Sequence, residues 1–345
     1  MMEGKRGPRE SLQVLKRALR ADPENPKLFQ TAAKLALRSR SYRAAVRYLQ
    51  RGIEVASDGS AQASLLAIWA QVELALENEA GARQLFRDAL RVDKRCTRAY
   101  VGWARMEIRS GAYERASRLL SACVLRGGGM QSARVMQTAG YFEMLQGAYG
   151  RARECFERAV ALSASEAVPS IFGFLMYARM EAYLGNDARA REVLTLASER
   201  FQRHSRPEML LALLALRRDD LEAAKLHASR ALARQPKKTV LWTLLGQIEC
   251  RLGNVSRARA IFIRACEQNR SDWYVRHCWS ALEWDQPQPN VSLASSLCKQ
   301  SFALRDQIRF DFCPLTCAIN DHPDQYLFRK LIIFPVSRTL SPAKQ

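Results

Sequence analysis

Several things this chain of 345 residues lacks narrow its possible roles. It contains no stretch of 18 apolar residues, so neither a transmembrane helix nor a membrane partner is expected. The first ten residues have no apolar core and carry Glu3 and Glu10, which fits neither a secretory signal nor an acid-poor transit peptide. Histidine is scarce: His204, His227, His277 and His322 are scattered, and none stands in a recognisable motif with a nucleophile. The glycine-rich stretch Arg126-Gly127-Gly128-Gly129-Met130 lacks the lysine of a phosphate loop and reads as a linker. These absences point away from an enzyme, a cofactor and a small-molecule substrate. The nine cysteines are an odd number, and Cys123, Cys155, Cys250, Cys266 and Cys298 fall inside periodic segments, as small buried residues of a reducing compartment do. Cys313, Cys317 and His322 alone approach metal spacing, but with no fourth ligand nearby no metal site is expected. Acid is also in deficit. Against 34 Asp and Glu stand 54 Lys and Arg, a net charge of +20. Chains this basic commonly meet polyanions, because neutralising phosphates releases counterions.

What is abundant is repetition. Two small residues seven apart recur nine times: Ser11/Ala18, Ala45/Gly52, Ala82/Ala89, Ala116/Cys123, Ala152/Ala159, Ala190/Ala197, Ala224/Ala231, Ala258/Ala265 and Ala294/Ser301. Seven residues make two helical turns, so each pair marks one face on which a neighbouring helix can come close. Intervals of 34 to 38 residues are those of a helical solenoid. A second helix precedes each marked one. It carries a glutamate nine residues before the first small residue (Glu73, Glu107, Glu143, Glu181, Glu249) or eleven before it (Glu283); Ala36 and Ala215 stand in that place in two repeats. Large-small pairs such as Trp69-Ala70, Trp103-Ala104 and Trp279-Ser280 precede the glutamates, with the tryptophans expected in the core. Turn formers (Gly111, Gly147, Gly185-Asn186, Asp219-Asp220, Gly253-Asn254) separate the two helices, as expected for left-handed C-terminal closures. The unit is therefore helix A, tight turn, helix B and loop, with the first marked helix (11–20) an unpaired B-type cap. The expected fold is all-α, a right-handed α-α superhelical solenoid of about eight helix pairs. It spans residues 8–305, between an N-terminal extension at 1–7 and an irregular tail at 306–345, of which 308–315 is expected to dock.

Helix B segments such as Ala82-Arg83-Gln84-Leu85-Phe86-Arg87-Asp88-Ala89 and Ala258-Arg259-Ala260-Ile261-Phe262-Ile263-Arg264-Ala265, with Trp103-Ala104-Arg105-Met106-Glu107 and Tyr177-Ala178-Arg179-Met180-Glu181, resemble half-a-tetratricopeptide (HAT) repeats. The Gly-Asn connectors and the unbroken array are most similar to plastid HAT proteins that stabilise and mature photosystem transcripts. Repeat 6 (207–234) lacks the aromatic and the glutamate and is more similar to an ordinary tetratricopeptide repeat (TPR). The resemblance implies a concave surface lined by A helices, single-stranded RNA as partner, other RNA-processing proteins as further partners, and the chloroplast stroma, or alternatively the nucleus, as location.

Three A-helix columns carry the expected site. Positions nine before the glutamate column give Lys27, Arg98, Arg134 and Arg206; two before, Lys34, Arg105 and Arg179; two after, Arg38, Arg109, Arg217 and Arg251. Asp285 is the one acid among the 24 positions. Tyr141, Phe172, Tyr183 and Tyr274 interleave, and cations plus aromatic faces suit single-stranded nucleic acid. Tyr141 is the stacking residue placed in the site, and Arg98, Arg105, Arg109, Arg134 and Arg179 form its central track. The leading reading is a sequence-selective single-stranded RNA binder that shields transcripts sterically. A protein scaffold of a nuclear RNA-processing assembly and a TPR adaptor for acidic peptides are the alternatives. Finally, a basic residue ten after most column glutamates (Arg83, Arg153, Arg191, Arg259) predicts ion pairs within each repeat, Glu73/Arg83, Glu143/Arg153, Glu181/Arg191 and Glu249/Arg259; where Ala215 replaces the glutamate, Lys225 replaces the arginine.

Overall fold

A computed structural model describes residues 8–127, 131–163, 170–286 and 290–307. The N-terminal extension, the tail from residue 308 with its expected docking segment, and the Cys313/Cys317/His322 group lie outside the described residues. Among the described residues there are seventeen α-helices and no strand. The first, α1 (Pro8–Ala21), is the unpaired cap. Then α2 (Pro26–Arg38) packs on α3 (Tyr42–Val55), α4 (Gly59–Ala75) on α5 (Glu79–Val92), α6 (Thr97–Arg109) on α7 (Tyr113–Gly127), and α8 (Ala133–Leu145) on α9 (Tyr149–Ser163). α10 (Ile171–Tyr183) and α11 (Asp187–Arg200) follow. They precede the pairs α12 (Arg206–Arg217) with α13 (Leu221–Arg234), α14 (Thr239–Arg251) with α15 (Val255–Gln268), and α16 (Trp273–Trp284) with α17 (Val291–Gln307). A cap and eight A/B pairs is the count the repeat spacing predicts. The helices form two compact units, Met1–Gly173 and Phe174–Gln345, whose boundary falls inside α10.

The small anchors do what two-turn spacing requires. From Ala45 to Ser301 every one is buried, including Ala82, Ala89, Ala152 and Ala258. Glycines on the A helices serve the same close approach. A Cβ on Gly102 would sit 2.7 Å from the Phe86 ring, and one on Gly246 would sit 2.9 Å from the Phe262 ring, so a methyl has no room there without moving an aromatic. In the first unit the core runs through Phe29, Leu49, Leu65 and Ile68 to Phe86 and Met106. In the second it runs through Leu213, Leu241 and Ile248, and separately through Phe262 and Val275.

The A-to-B turns close as expected. Gly111, Gly147, Gly185 and Gly253 all adopt positive φ, from 75° to 85°. The amide three residues beyond the A helix returns to the carbonyl of the column residue, as in Ala112 N–H to Glu107 O (2.9 Å) and Asn254 N–H to Glu249 O (2.9 Å). Three repeats make the same turn without glycine, at Arg40, Glu77 and Asp219. At the other end Asn25 accepts from the Lys27 N–H with Pro26 in the first turn, a start that needs no amide from proline.

The glutamate column is structural, but its partners differ from those the ten-residue spacing predicts. Arg83 donates from Nε to Glu107 Oε1 (3.0 Å), Lys225 Nζ lies 3.1 Å from Glu249 Oε1, and Arg259 makes two bonds of 2.7 Å to Glu283. Each of these three basic residues reaches forward 24 residues to the next A helix, so the pairs Glu73/Arg83 and Glu249/Arg259 are corrected to links between repeats. Glu143 takes Arg151 (2.9 Å) as an ion-pair partner. Two further donors recur that the sequence did not reveal. The tryptophan four residues upstream donates its indole N–H to Glu73, Glu107 and Glu283, at 2.9 to 3.0 Å. The turn asparagine five residues downstream donates its amide to Glu73, Glu181 and Glu249, at 2.7 to 2.8 Å. Trp69, Trp103 and Trp279 are accordingly half-buried, with the ring packed and the N–H spent on a carboxylate. The Arg259 guanidinium and the Trp279 N–H together hold the Glu283 carboxyl below its ordinary range against the opposing effect of burial.

A basic face in the first unit

The A-helix columns place four cations together in the first unit. Lys34 and Arg38 come from the third and last turns of α2, Arg98 from the first turn of α6, and Arg134 from the first turn of α8. Their mutual field acts on Lys34: desolvation first, then repulsion from Arg98, Arg134 and Arg38, holds its ammonium below the usual lysine range. Arg98 is likewise lowered, first by burial and then by Arg134. Its Nη1 donates to Gln30 Oε1 on α2 (3.3 Å), a neutral partner that aims the side chain without cancelling its charge. No described carboxylate lies in ion-pairing distance of any of the four. Crowding like charges without counterions costs stability, and an anion would relieve that cost. Lys27 and Arg109, at the first and last turns of α2 and α6, are exposed in the same unit.

The remaining expected positions divide. Arg105 is half-buried with its guanidinium 5.0 Å from the centre of the Phe172 ring, a cation–π contact within the fold. Tyr141 is 1 % exposed and meets Phe172 edge-on at 6.2 Å, so its assignment as a stacking platform is corrected: the ring is core and no base can reach its face. Phe172 and Tyr274 are half-buried and Tyr183 is exposed. Arg217, in the second unit, is also corrected. It donates to the Ala182 carbonyl (2.7 Å) and forms an ion pair with Asp187, which ties α12 to the preceding repeat instead of presenting a free charge. Arg179 belongs to the second unit too, half-buried with Nη1 directed at Met176 Sδ (3.5 Å), so it is not assigned to one track with Arg98 and Arg134. Arg206 opens α12 beside Lys238, whose ammonium is lowered by burial and then by Arg206. Arg251, at the end of α14, is exposed.

Two groups escaped the column reading. In repeat 6, where Ala215 fills the glutamate column, Glu208 replaces the missing acid from one helix end. It accepts from Ser198 Oγ (2.5 Å) and Arg234 Nη2 (3.0 Å) and contacts His227 Nδ1 (2.8 Å). Despite burial, the bonds from Ser198 and His227 and the charge of Arg234 hold its carboxyl below the ordinary range. The serine and histidine both face the carboxylate and not one another, so this is a structural staple with no nucleophile–base pair. The other group lines a cavity beside Arg98 and Arg134 and includes Arg95, Ser64 and Ser132. Among the described residues no group of three metal-ligating side chains occurs, and no helix is long and apolar enough to cross a membrane. The seven described cysteines are free thiols; burial pushes Cys123 up to about 11 and Cys250 and Cys278 up to about 12, which keeps them neutral and unreactive.

Comparison with known proteins fits this architecture. Residues 209–272 match the family model of the tetratricopeptide repeat, in the region whose sequence reads most like an ordinary TPR. A stretch of 148 residues, 42 % of the chain, is 27 % identical to Superkiller protein 3 of Schizosaccharomyces pombe and spans 11 % of that protein. The crystal structure of the Cut9–Hcn1 hetero-tetramer of the APC/C is similar over 95 % of this chain and 60 % of that one, with 13 % identity and a TM-score of 0.52. Yeast Tom70 is similar over 87 % of this chain and 73 % of its own, with 11 % identity and a TM-score of 0.47. The family match and the similarity to the Cut9–Hcn1 structure show a TPR-like helical-repeat fold.

Proposed function

We propose that the chain is a single-stranded RNA-binding scaffold that holds the strand by its phosphates along the A-helix face of the first unit and shields it sterically. The observation that carries this is the group Lys34, Arg38, Arg98 and Arg134: four cations from three repeats, brought together without acid partners. A cluster of cations without counterions suits a polyanion such as a phosphate backbone. With Tyr141 buried, affinity on this face comes from charge, and stacking contributes little. The organellar setting implied by the HAT resemblance belongs to this reading, since steric protection of transcripts needs no chemistry from the protein.

A protein-binding role has its own support in the second unit. There half-buried Val240 stands at the column position that Arg98 and Arg134 hold in the first unit, and residues 209–272 match the TPR model. Fluorescence anisotropy with a labelled, unstructured RNA, competed by an acidic peptide of equal charge, separates the two. Displacement by unlabelled RNA but not by the peptide supports RNA as the ligand. Equal displacement by the peptide would show a generic anion surface and favour the scaffold reading.

A further inference from the structure

The first unit contains a cavity of about 400 Å³ where the N-terminal ends of α4, α6 and α8 come together. A water claims about 30 Å³ of liquid, so the space holds on the order of ten waters, room for a phosphate and the sugar attached to it. Arg95, Arg98 and Arg134 line it, with Asp93 as the one carboxylate among the lining residues, which leaves two positive charges in excess. Asp93 is partly engaged, accepting the Arg95 backbone N–H at 2.8 Å. Ser60, Ser64, Thr97 and Ser132 add hydroxyl donors around the same space. Three fork-shaped donors and a ring of hydroxyls is the chemistry that recognises a tetrahedral oxyanion.

Charge selects among phosphates. A monoester carries about −1.5 to −2 at neutral pH, whereas an internal backbone diester carries a single charge. Only the monoester meets the excess of the lining. We propose that this cavity seats the terminal phosphomonoester of the strand bound along the first unit, so that the protein grips a phosphorylated RNA end. The inference rests on the RNA reading above and adds to it a fixed end for the strand. Asp93 also lines this space, and its second carboxylate oxygen can accept from a sugar hydroxyl.

The test uses the full chain and one ten-nucleotide RNA made with a 5′-phosphate, with a 3′-phosphate, or with hydroxyls at both ends. One phosphorylated form is expected to bind roughly tenfold more tightly than the hydroxyl-ended strand, as charge-assisted hydrogen bonds to a dianion require. Two variants probe the cavity without touching the four-cation group: Arg95→Gln removes one guanidinium and Ser64→Leu fills space. Each should erase the end preference and leave binding of the hydroxyl-ended strand within about twofold. Equal affinity for all three strands would overturn the cavity assignment while leaving RNA binding standing. A preference that survives both variants would also overturn it, placing the end elsewhere. If no strand binds, both this inference and the RNA reading fall. Displacement of the phosphorylated strand by a phosphoserine peptide at lower concentration than by the RNA itself would overturn it in favour of a protein ligand.

Discussion

Removing the Arg259 side chain should uncouple the last helix pair from the rest of the array. Glu283 is 0 % exposed and takes two 2.7 Å bonds from Arg259, while Arg259 itself is 43 % exposed. In Arg259→Ala the carboxylate keeps the Trp279 N–H (2.9 Å) but loses its cation inside the fold. Breaking a fully buried pair costs about 3–5 kcal/mol. Water can reach the vacated guanidinium site here, so about 2–3 kcal/mol is the reasoned loss. Because the bond joins α15 to α16, the loss falls on the interface between repeats. In a one-dimensional array that weakens the propagation of folding to the terminal unit. Hydrogen exchange followed by mass spectrometry should then show α16 and α17 opening at lower free energy in the variant, with α12 to α14 unchanged. A double-mutant cycle sharpens the point. Arg259 and Glu283 should couple by about 1–3 kcal/mol, and Arg259 and Glu249 by less than about 0.5 kcal/mol. Equal coupling to Glu249, or uniform loss of protection along the second unit, would refute the inter-repeat assignment.

Further consequences follow from single contacts. Gly246→Ala would bring a methyl to 2.9 Å from the Phe262 ring and should cost about 1–3 kcal/mol by denaturant titration; a neutral result would mean the ring moves freely. Gly185→Ala, at φ +85°, should cost about 1–2 kcal/mol, whereas Glu77→Gly, at φ +62°, should be neutral to slightly stabilising. Acid should destabilise the array through the carboxylates whose native pKa is depressed. For Glu283, held low by the Arg259 bond, and Glu249, held low by Asn254 and Lys225 against burial, the contribution is complete above the unfolded value near 4.3. It is lost as pH falls through the lower native values, and Glu283→Gln should flatten the acid limb of a stability-versus-pH curve. Tyr141→Leu should leave the RNA affinity of the folded protein unchanged within about twofold, since the ring is core; a loss near the 1–3 kcal/mol of a stacked base would restore it to the site.

Much of the fold could be read from the sequence because the repeat fixes it many times over. Small anchors and the alternation of helices recur eight or nine times and turn glycines four times, so local ambiguity averages out. The ion-pair partners did not come out of the same columns for a simple reason. In a repeat of about 34 residues, ten forward from a glutamate and 24 back from it are the same column. Arg83 therefore stands equally well for Glu73 or Glu107, and only side-chain reach across the inter-repeat gap, seen as the 3.0 Å bond to Glu107, decides. Tyr141 was misplaced because a column position fixes a helical face, whereas burial depends on what packs over it, here Phe172. Arg217 fell in a basic column yet serves Asp187, an acid 30 residues upstream that column counting never paired with it. The cavity escaped because its lining joins loop and first-turn residues, such as Arg95 and Ser132, that lie outside any periodic pattern.

The salt dependence of RNA binding tests the central claim most directly. If Lys34, Arg38, Arg98 and Arg134 each neutralise one phosphate, log affinity should fall with log salt at about −0.7 per contact, roughly −2.8 from this group. Arg98→Ala with Arg134→Ala should flatten that slope by about 1.4 and weaken hydroxyl-ended strands of every sequence alike, while circular dichroism shows the helices intact. A slope unchanged in the double variant would contradict the account and leave the array as a scaffold for proteins.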